Sequence, residues 1–166
     1  MIHFLDFEAS SLDQASYPIE AGWATLDLET GEITSEAMLI LPISTWTDWN
    51  AKSQSIHGIE RSTLLQEGYT AKAVAQRMSM VLTGPVFCDG GEYDVNWNHR
   101  LFDAAGMSVP FAILNYWRAV EQRQDDYGVS GAAQFEAYQR FRAPRPHRAE
   151  ADARFLAELY RDCLTF

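Results

Sequence analysis

The chain has 166 residues, 47% apolar and 22% charged, which is long enough for one domain with a sizeable core and unlike a disordered chain. The 13 Lys and Arg against 23 Asp and Glu leave a formal charge of −10, which excludes a basic nucleic-acid platform or a polybasic membrane anchor spread over the whole chain. The longest purely apolar run, Ala37 to Leu41, is too short to span a bilayer, no Lys or Arg precedes Lys52 as in a signal peptide, and Cys88 and Cys163 form no CxxC, so a soluble cytoplasmic protein with reduced thiols is expected.

Met1 to Asp6 opens on an apolar run of strand length. Ile19 to Leu28 and Ile33 to Leu41 flank the turn Glu29-Thr30-Gly31-Glu32, the pattern of a hairpin, and Ile2 to Asp6 beside it completes a three-stranded meander. Past Pro42, Ser62 to Gln66 and Ala71 to Leu82 carry helical spacing, the second with Val74, Met78, Val81 and Leu82 on one face. Gly84-Pro85 ends that helix, and Val86-Phe87-Cys88 reads as a short buried strand. Gly90-Gly91 turns into a helix over Tyr93 to Ala105, and Phe111 to Leu114 is a further short strand. Helical patterns then cover Ser130 to Arg142 and, after Pro144 and Pro146, Arg148 to Leu164. Antiparallel strands first and strand–helix alternation later predict an α/β fold, a mixed sheet flanked by helices.

Asp6 and Glu8 end the first strand, two residues apart and therefore on one side, with Leu5 and Phe7 on the other. Two carboxylates emerging together repel, and a divalent cation offsets that repulsion; two solvated strand-end acids are the plain alternative. Asp94 falls in the first turn of the helix after Gly90-Gly91, where a carboxylate also suits the helix dipole, and spacing leaves Asp89, Glu92 and Asp103 as rivals. His147 precedes Asp152 by five residues, about 140° apart on a continuous helix. The two converge when His147 lies at or before the helix start, which Pro146 favours, and small Ala149 and Ala151 let that helix approach the sheet. A surface histidine beside an exposed helix is the alternative. Trp46 and Trp49, in the polar stretch Ser44 to Asn50, are expected to pack or cap ahead of stacking on bases.

Together these segments resemble the DEDDh exonucleases, the superfamily of proofreading subunits, oligoribonuclease and ribonuclease T. Asp6-Phe7-Glu8 resembles the first motif, D-x-E; Gly90-Gly91-Glu92-Tyr93-Asp94 resembles the second, H-N-x-x-F-D; and His147-Arg148-Ala149-Glu150-Ala151-Asp152 matches the third, H-x-A-x-x-D. Ile56-His57-Gly58-Ile59 is similar to the family's H-G-I element. Two departures stand out. Ala9-Ser10-Ser11-Leu12 replaces the Thr-Gly-Leu run, and Asp89-Gly90 replaces His-Asn.

The resemblance implies a ribonuclease H-like α/β domain over residues 1–166, with a mixed five-stranded sheet, three antiparallel strands then two parallel, and helices on both faces. It implies that Asp6, Glu8, Asp94 and Asp152 hold two Mg²⁺ or Mn²⁺ ions and that His147 is the general base, histidine being the side chain that exchanges protons near neutral pH. The implied reaction is 3′–5′ hydrolysis of single-stranded RNA or DNA ends to nucleoside 5′-monophosphates, with RNA slightly favoured and a DNA-trimming or proofreading enzyme as the rival. The substrate-binding set is Ala9, Ser10, Leu12 as an apolar wedge, His57, Tyr93 and Arg145; His57 alternatively caps Gly58-Ile59, and Tyr93 alternatively packs to position Asp94. Arg140, Arg142, Arg145 and Arg148 offer a local path for the phosphate backbone despite the acidic total. Similar small enzymes commonly form homodimers. A non-catalytic binding module is the competing class and predicts a degraded acid set, yet all five expected residues are present; no G-x-S-x-G or Walker lysine motif supports a nucleophilic or P-loop hydrolase.

Overall fold

The computed structural model describes residues 1–127 and 147–162. Five strands form one sheet: β1 (Ile2–Ala9), β2 (Pro18–Leu26), β3 (Ile33–Leu39), β4 (Val86–Cys88) and β5 (Ile113–Asn115), in the order β3-β2-β1-β4-β5. The β1–β2 and β2–β3 pairs are antiparallel, while β1–β4 and β4–β5 are parallel. The described helices are α1 (Ala51–His57), α2 (Arg61–Glu67), α3 (Ala71–Val81), α4 (Glu92–Ala105), α5 (Tyr116–Tyr127) and α6 (Ala149–Asp162). The result is the mixed five-stranded sheet of a ribonuclease H-like α/β fold. No helix among the described residues is long and apolar enough to cross a membrane.

Strand alternation divides the core between the two faces. Leu5, Phe7, Ile19, Ala21 and Trp23 pack with Val74 and Met78 of α3 and Leu101 and Phe102 of α4. Ile2, Phe4, Ala24 and Leu26 pack with Tyr116 and Val120 of α5 and Ala153, Leu156 and Ala157 of α6. Asp6 and Glu8 continue the second series along β1, and Glu20 and Gly22 continue it along β2, so the polar end of that face lies where α6 begins.

Several boundaries differ from the sequence expectation. The strand expected at Phe111 to Leu114 runs Ile113–Asn115, and the one expected to reach Leu41 stops at Leu39, with Ile40 forming an isolated bridge to Tyr69. Helix α1 has no sequence counterpart. It is set by Asn50, whose side chain accepts from the amides of Lys52 and Ser53, and not by an apolar stripe. Helix α5 begins where Asn115 Oδ1 accepts the Arg118 amide at 3.0 Å. The helix expected over Ser130 to Arg142, together with Arg140, Arg142, Arg145 and Cys163, lies outside the described residues. Trp46 is buried and stacks on Tyr17 at 5.2 Å, and Trp49 donates to Gln54 Oε1 at 2.7 Å, so both pack.

Candidate active site

Three chain segments meet at the C-terminal end of β1. The strand delivers Asp6 and Glu8, both half-buried, on the face covered by α6. A register shift between Glu8 and Ala9 then ends the regular ladder.

The β4–α4 turn delivers Asp94, which is buried in the first turn of α4. Two glycines make its position possible. Asp94 Oδ2 accepts the Gly90 amide at 3.1 Å, and a Cβ on Gly90 would lie 2.5 Å from that same oxygen. Gly91 has φ +62° and ψ −126°, a conformation open to glycine and strained for other residues. The glycine pair is the turn its sequence suggested, and the structure shows that turn wrapped on the Asp94 carboxylate.

Helix α6 delivers Asp152, also buried, from its first turn. The Asp152 amide donates to the Arg148 carbonyl at 3.0 Å, so Arg148 occupies the cap position and His147 lies in the preceding loop. That placement brings His147 Nδ1 to 3.7 Å from Asp152 Oδ2, with the His147 side chain 58% exposed. The convergence that a continuous helix would forbid is obtained because the helix starts at Ala149.

Ligand atoms gather in two groups. One atom from each of Asp6, Asp89 and Asp94 lies within 4.8 Å of the other two, and the same holds for Glu8, His147 and Asp152. Asp89, one of the rivals left by spacing, therefore joins Asp6 and Asp94; it stands where the resembled motif has histidine. Glu92 and Asp103 instead line an outer groove.

The carboxylates perturb one another. Burial, then Asp94, Glu8, Asp152 and Asp89, hold Asp6 well above the ordinary carboxylate range. Burial is also the largest cause at Glu8, which is pushed up to about 8, with Asp152 and Glu20 adding to the rise and Arg148 opposing it. Asp94 is raised to about 7, first by burial and also by Asp89, against hydrogen bonds from Cys88 and the Gly90 and Phe7 backbone. Anions crowded in a partly dry site favour a hard, oxygen-seeking divalent cation, and this donor set fits Mg²⁺ or Mn²⁺ better than a soft metal.

The remaining sequence candidates divide. Leu12 is 66% exposed and Tyr93 49%, and both line a groove of about 620 Å³ together with Asn96, Trp97 and Arg100. Arg100 donates to the Gln14 carbonyl at 2.7 Å and Trp97 Nε1 to Ser16 Oγ at 2.9 Å, which pin the loop carrying Leu12. Ser10 is buried: its hydroxyl donates to Asp48 at 3.0 Å and accepts the Tyr17 amide, while its own amide and carbonyl bond Tyr17 and Asn50. Ser10 thus braces the loop, and Ala9 is packed in the core. His57 is buried and its Nδ1 accepts the Ile59 amide at 3.0 Å, the capping role, which leaves Nε2 as the protonated nitrogen with no partner among the described residues. Arg148 is committed to Glu20 at 2.5 Å and so leaves the path proposed for the phosphate backbone. Arg145 lies outside the described residues.

The chain has the fold of the DEDDh exonucleases. The nuclease domain of 3′hExo, a DEDDh family member bound to rAMP, matches with a TM-score of 0.70 and 18% identity over 99% of this chain and 91% of that one. Cell-death related nuclease 4 matches with a TM-score of 0.70 and 16% identity, covering 99% of this chain and 63% of that chain. E. coli Exonuclease I in complex with an oligonucleotide matches with a TM-score of 0.71 and 14% identity, over 99% of this chain and 40% of the larger enzyme. No protein-family model matches the sequence, and no curated protein matches it.

Proposed function

We propose that the protein is a metal-dependent 3′–5′ exonuclease that hydrolyses single-stranded nucleic acid from its 3′ end to nucleoside 5′-monophosphates. The observation that carries this reading is the convergence of Asp6, Glu8, Asp94, His147 and Asp152, from three distant segments, at one end of the sheet. Asp6, Glu8, Asp94 and Asp152 would hold two Mg²⁺ or Mn²⁺ ions, with Asp89 beside Asp6 and Asp94. Divalent cations bound there supply Lewis-acid chemistry, lowering the pKa of a water and stabilising charge on the leaving 3′ oxygen. His147, on a loop over Glu8 and Asp152, takes the proton from the attacking water as its oxygen bonds to phosphorus. The P–O3′ bond breaks, the 3′ oxygen leaves as a hydroxyl, and the phosphate stays on the released nucleotide.

Leu12 and Tyr93, both exposed and lining the groove, would contact the terminal bases, since stacking and apolar contact tolerate any base. His57 is left to its capping role, its Nε2 being shielded from solvent. RNA is slightly favoured over DNA; the 3′hExo nuclease domain was solved with rAMP and E. coli Exonuclease I with a dA13 oligonucleotide, so the matches are compatible with either. A DNA-trimming enzyme is the rival, separated from it by 2′-OH and 2′-H oligomers of one sequence. Mn²⁺-dependent release of nucleoside monophosphates that disappears in Asp6→Ala and Asp152→Ala tests the assignment; release that persists in both contradicts it.

A further inference from the structure

Glu20 lies at the polar end of the sheet face covered by α6 and is only 1% exposed. It stands directly opposite Glu8 in the β1–β2 ladder, where two like charges side by side are unfavourable. A buried carboxylate needs hydrogen-bonding and charged partners to be tolerated at all. Glu20 has both. Its Oε2 accepts Arg148 Nε at 3.0 Å and the Ala149 amide at 3.0 Å, and its Oε1 accepts Arg148 Nη2 at 2.5 Å.

These bonds fall on the junction that the chemistry depends on. Ala149 is the first residue of α6, so Glu20 caps the helix from a strand some 130 residues earlier in the chain (Glu20 to Ala149 are 129 apart). Arg148 is the cap residue whose carbonyl receives the Asp152 amide. His147 is its immediate neighbour. A fork-to-fork guanidinium–carboxylate pair fixes orientation as well as distance. The same guanidinium faces Glu8, whose carboxyl it pulls back down, and also acts on His57. The groups facing the pair are therefore Glu8 from β1, His57 at the end of α1 and Glu150 from α6.

We propose that Glu20 is a positioning residue. Through its forked ion pair with Arg148 and its bond to the Ala149 amide, it sets the direction of His147 relative to Glu8 and Asp152. Its role is separate from metal ligation, for which its carboxylate oxygens are already engaged.

The kinetic arm of the test rests on the nuclease reading; a spectroscopic arm does not. Glu20→Gln keeps size but removes charge, and Arg148→Met removes the same pair from a side chain that is 47% exposed, without hollowing the core. In both variants, below their melting temperatures, kcat is expected to fall about tenfold to a hundredfold with KM unchanged. In a His147→Ala background Glu20→Gln should change kcat by about twofold or less, because its effect passes through His147. The His147 Cε1–H resonance, assigned by its loss in His147→Ala and read in metal-free protein, should shift or broaden in both variants while that of His99 on α4 stays in place. Equal kcat losses in both backgrounds, or an unmoved His147 resonance, would overturn the proposal. If wild-type protein cleaves nothing, the nuclease reading fails while the resonance still decides the positioning role.

Discussion

Gly22 faces the first turn of α6 so closely that a Cβ there would lie 2.1 Å from the carbonyl carbon of Ala149. Gly22 is also the ladder partner of Asp6, so the bare backbone beside one site carboxylate is what lets the helix bearing Asp152 descend onto the sheet. Gly22→Ala must push α6 outward. It should lower stability by roughly 1–3 kcal/mol, as overpacking does, and weaken Mn²⁺ binding by separating Asp152 from Glu8. Calorimetry of Mn²⁺ binding with a thermal melt checks this; an unchanged melt and affinity would show that the helix does not press on Gly22.

The site carboxylates should make the metal-free protein sensitive to base. Glu8 lies at about 8 against an ordinary 4.5, and Asp94 at about 7 against 3.8. Between the unfolded and folded values the folded state binds more protons than the unfolded chain, so stability falls as pH rises through that window. In chelator, the melting temperature should be lower at about pH 8.5 than at about pH 5.5, and Glu8→Gln or Asp94→Asn should flatten the difference. Saturating Mn²⁺ at the higher pH should restore it, because a ligand that binds only the folded state stabilises it. A melting temperature that rises with pH in chelator would contradict the carboxylate crowding.

Alanine at Asp6, Glu8, Asp94 or Asp152 should abolish turnover without loss of fold, since each change relieves repulsion among neighbouring anions. Far-UV circular dichroism alongside the activity assay distinguishes the outcomes. Collapse of Asp94→Ala would assign that residue to the turn it forms with Gly90.

His147→Ala should slow hydrolysis by roughly 10²–10⁴-fold, the range of a lost general base. Metal affinity separates its two conceivable roles, because His147 lies within ligand distance of Glu8 and Asp152. An Mn²⁺ affinity that stays within a few-fold supports the base, whereas a large loss makes His147 a ligand.

Much of the frame was legible from local pattern. The meander, the short Val86-Phe87-Cys88 strand and the stripe of α3 follow from alternation and helical period, and the Asp6–Glu8 pair and the His147–Asp152 spacing stood out by residue type and position. Helix α1 was not legible because Lys52, Ser53, Gln54 and Ser55 give it no apolar face; only the Asn50 cap marks its start. Helix α5 buries Tyr116 and Val120 one turn apart, too little periodicity to stand out in a polar segment. Glu20 was hidden for a different reason. Near the start of Ile19 to Leu28 a carboxylate reads as a solvated position, and the burial of Glu20 is created by Arg148 and Ala149 from the other end of the chain. Asp89 could be narrowed only to a group of rivals, since its approach to Asp6 depends on the parallel pairing of β4 with β1.

The most direct test is time-resolved product analysis on 5′-labelled single-stranded RNA and DNA of one sequence, with Mn²⁺ and with chelator. A ladder that shortens from the 3′ end, needs the metal, releases nucleoside 5′-monophosphates and runs faster on RNA is the predicted result. No cleavage of either strand by folded protein in saturating Mn²⁺ would contradict the exonuclease assignment.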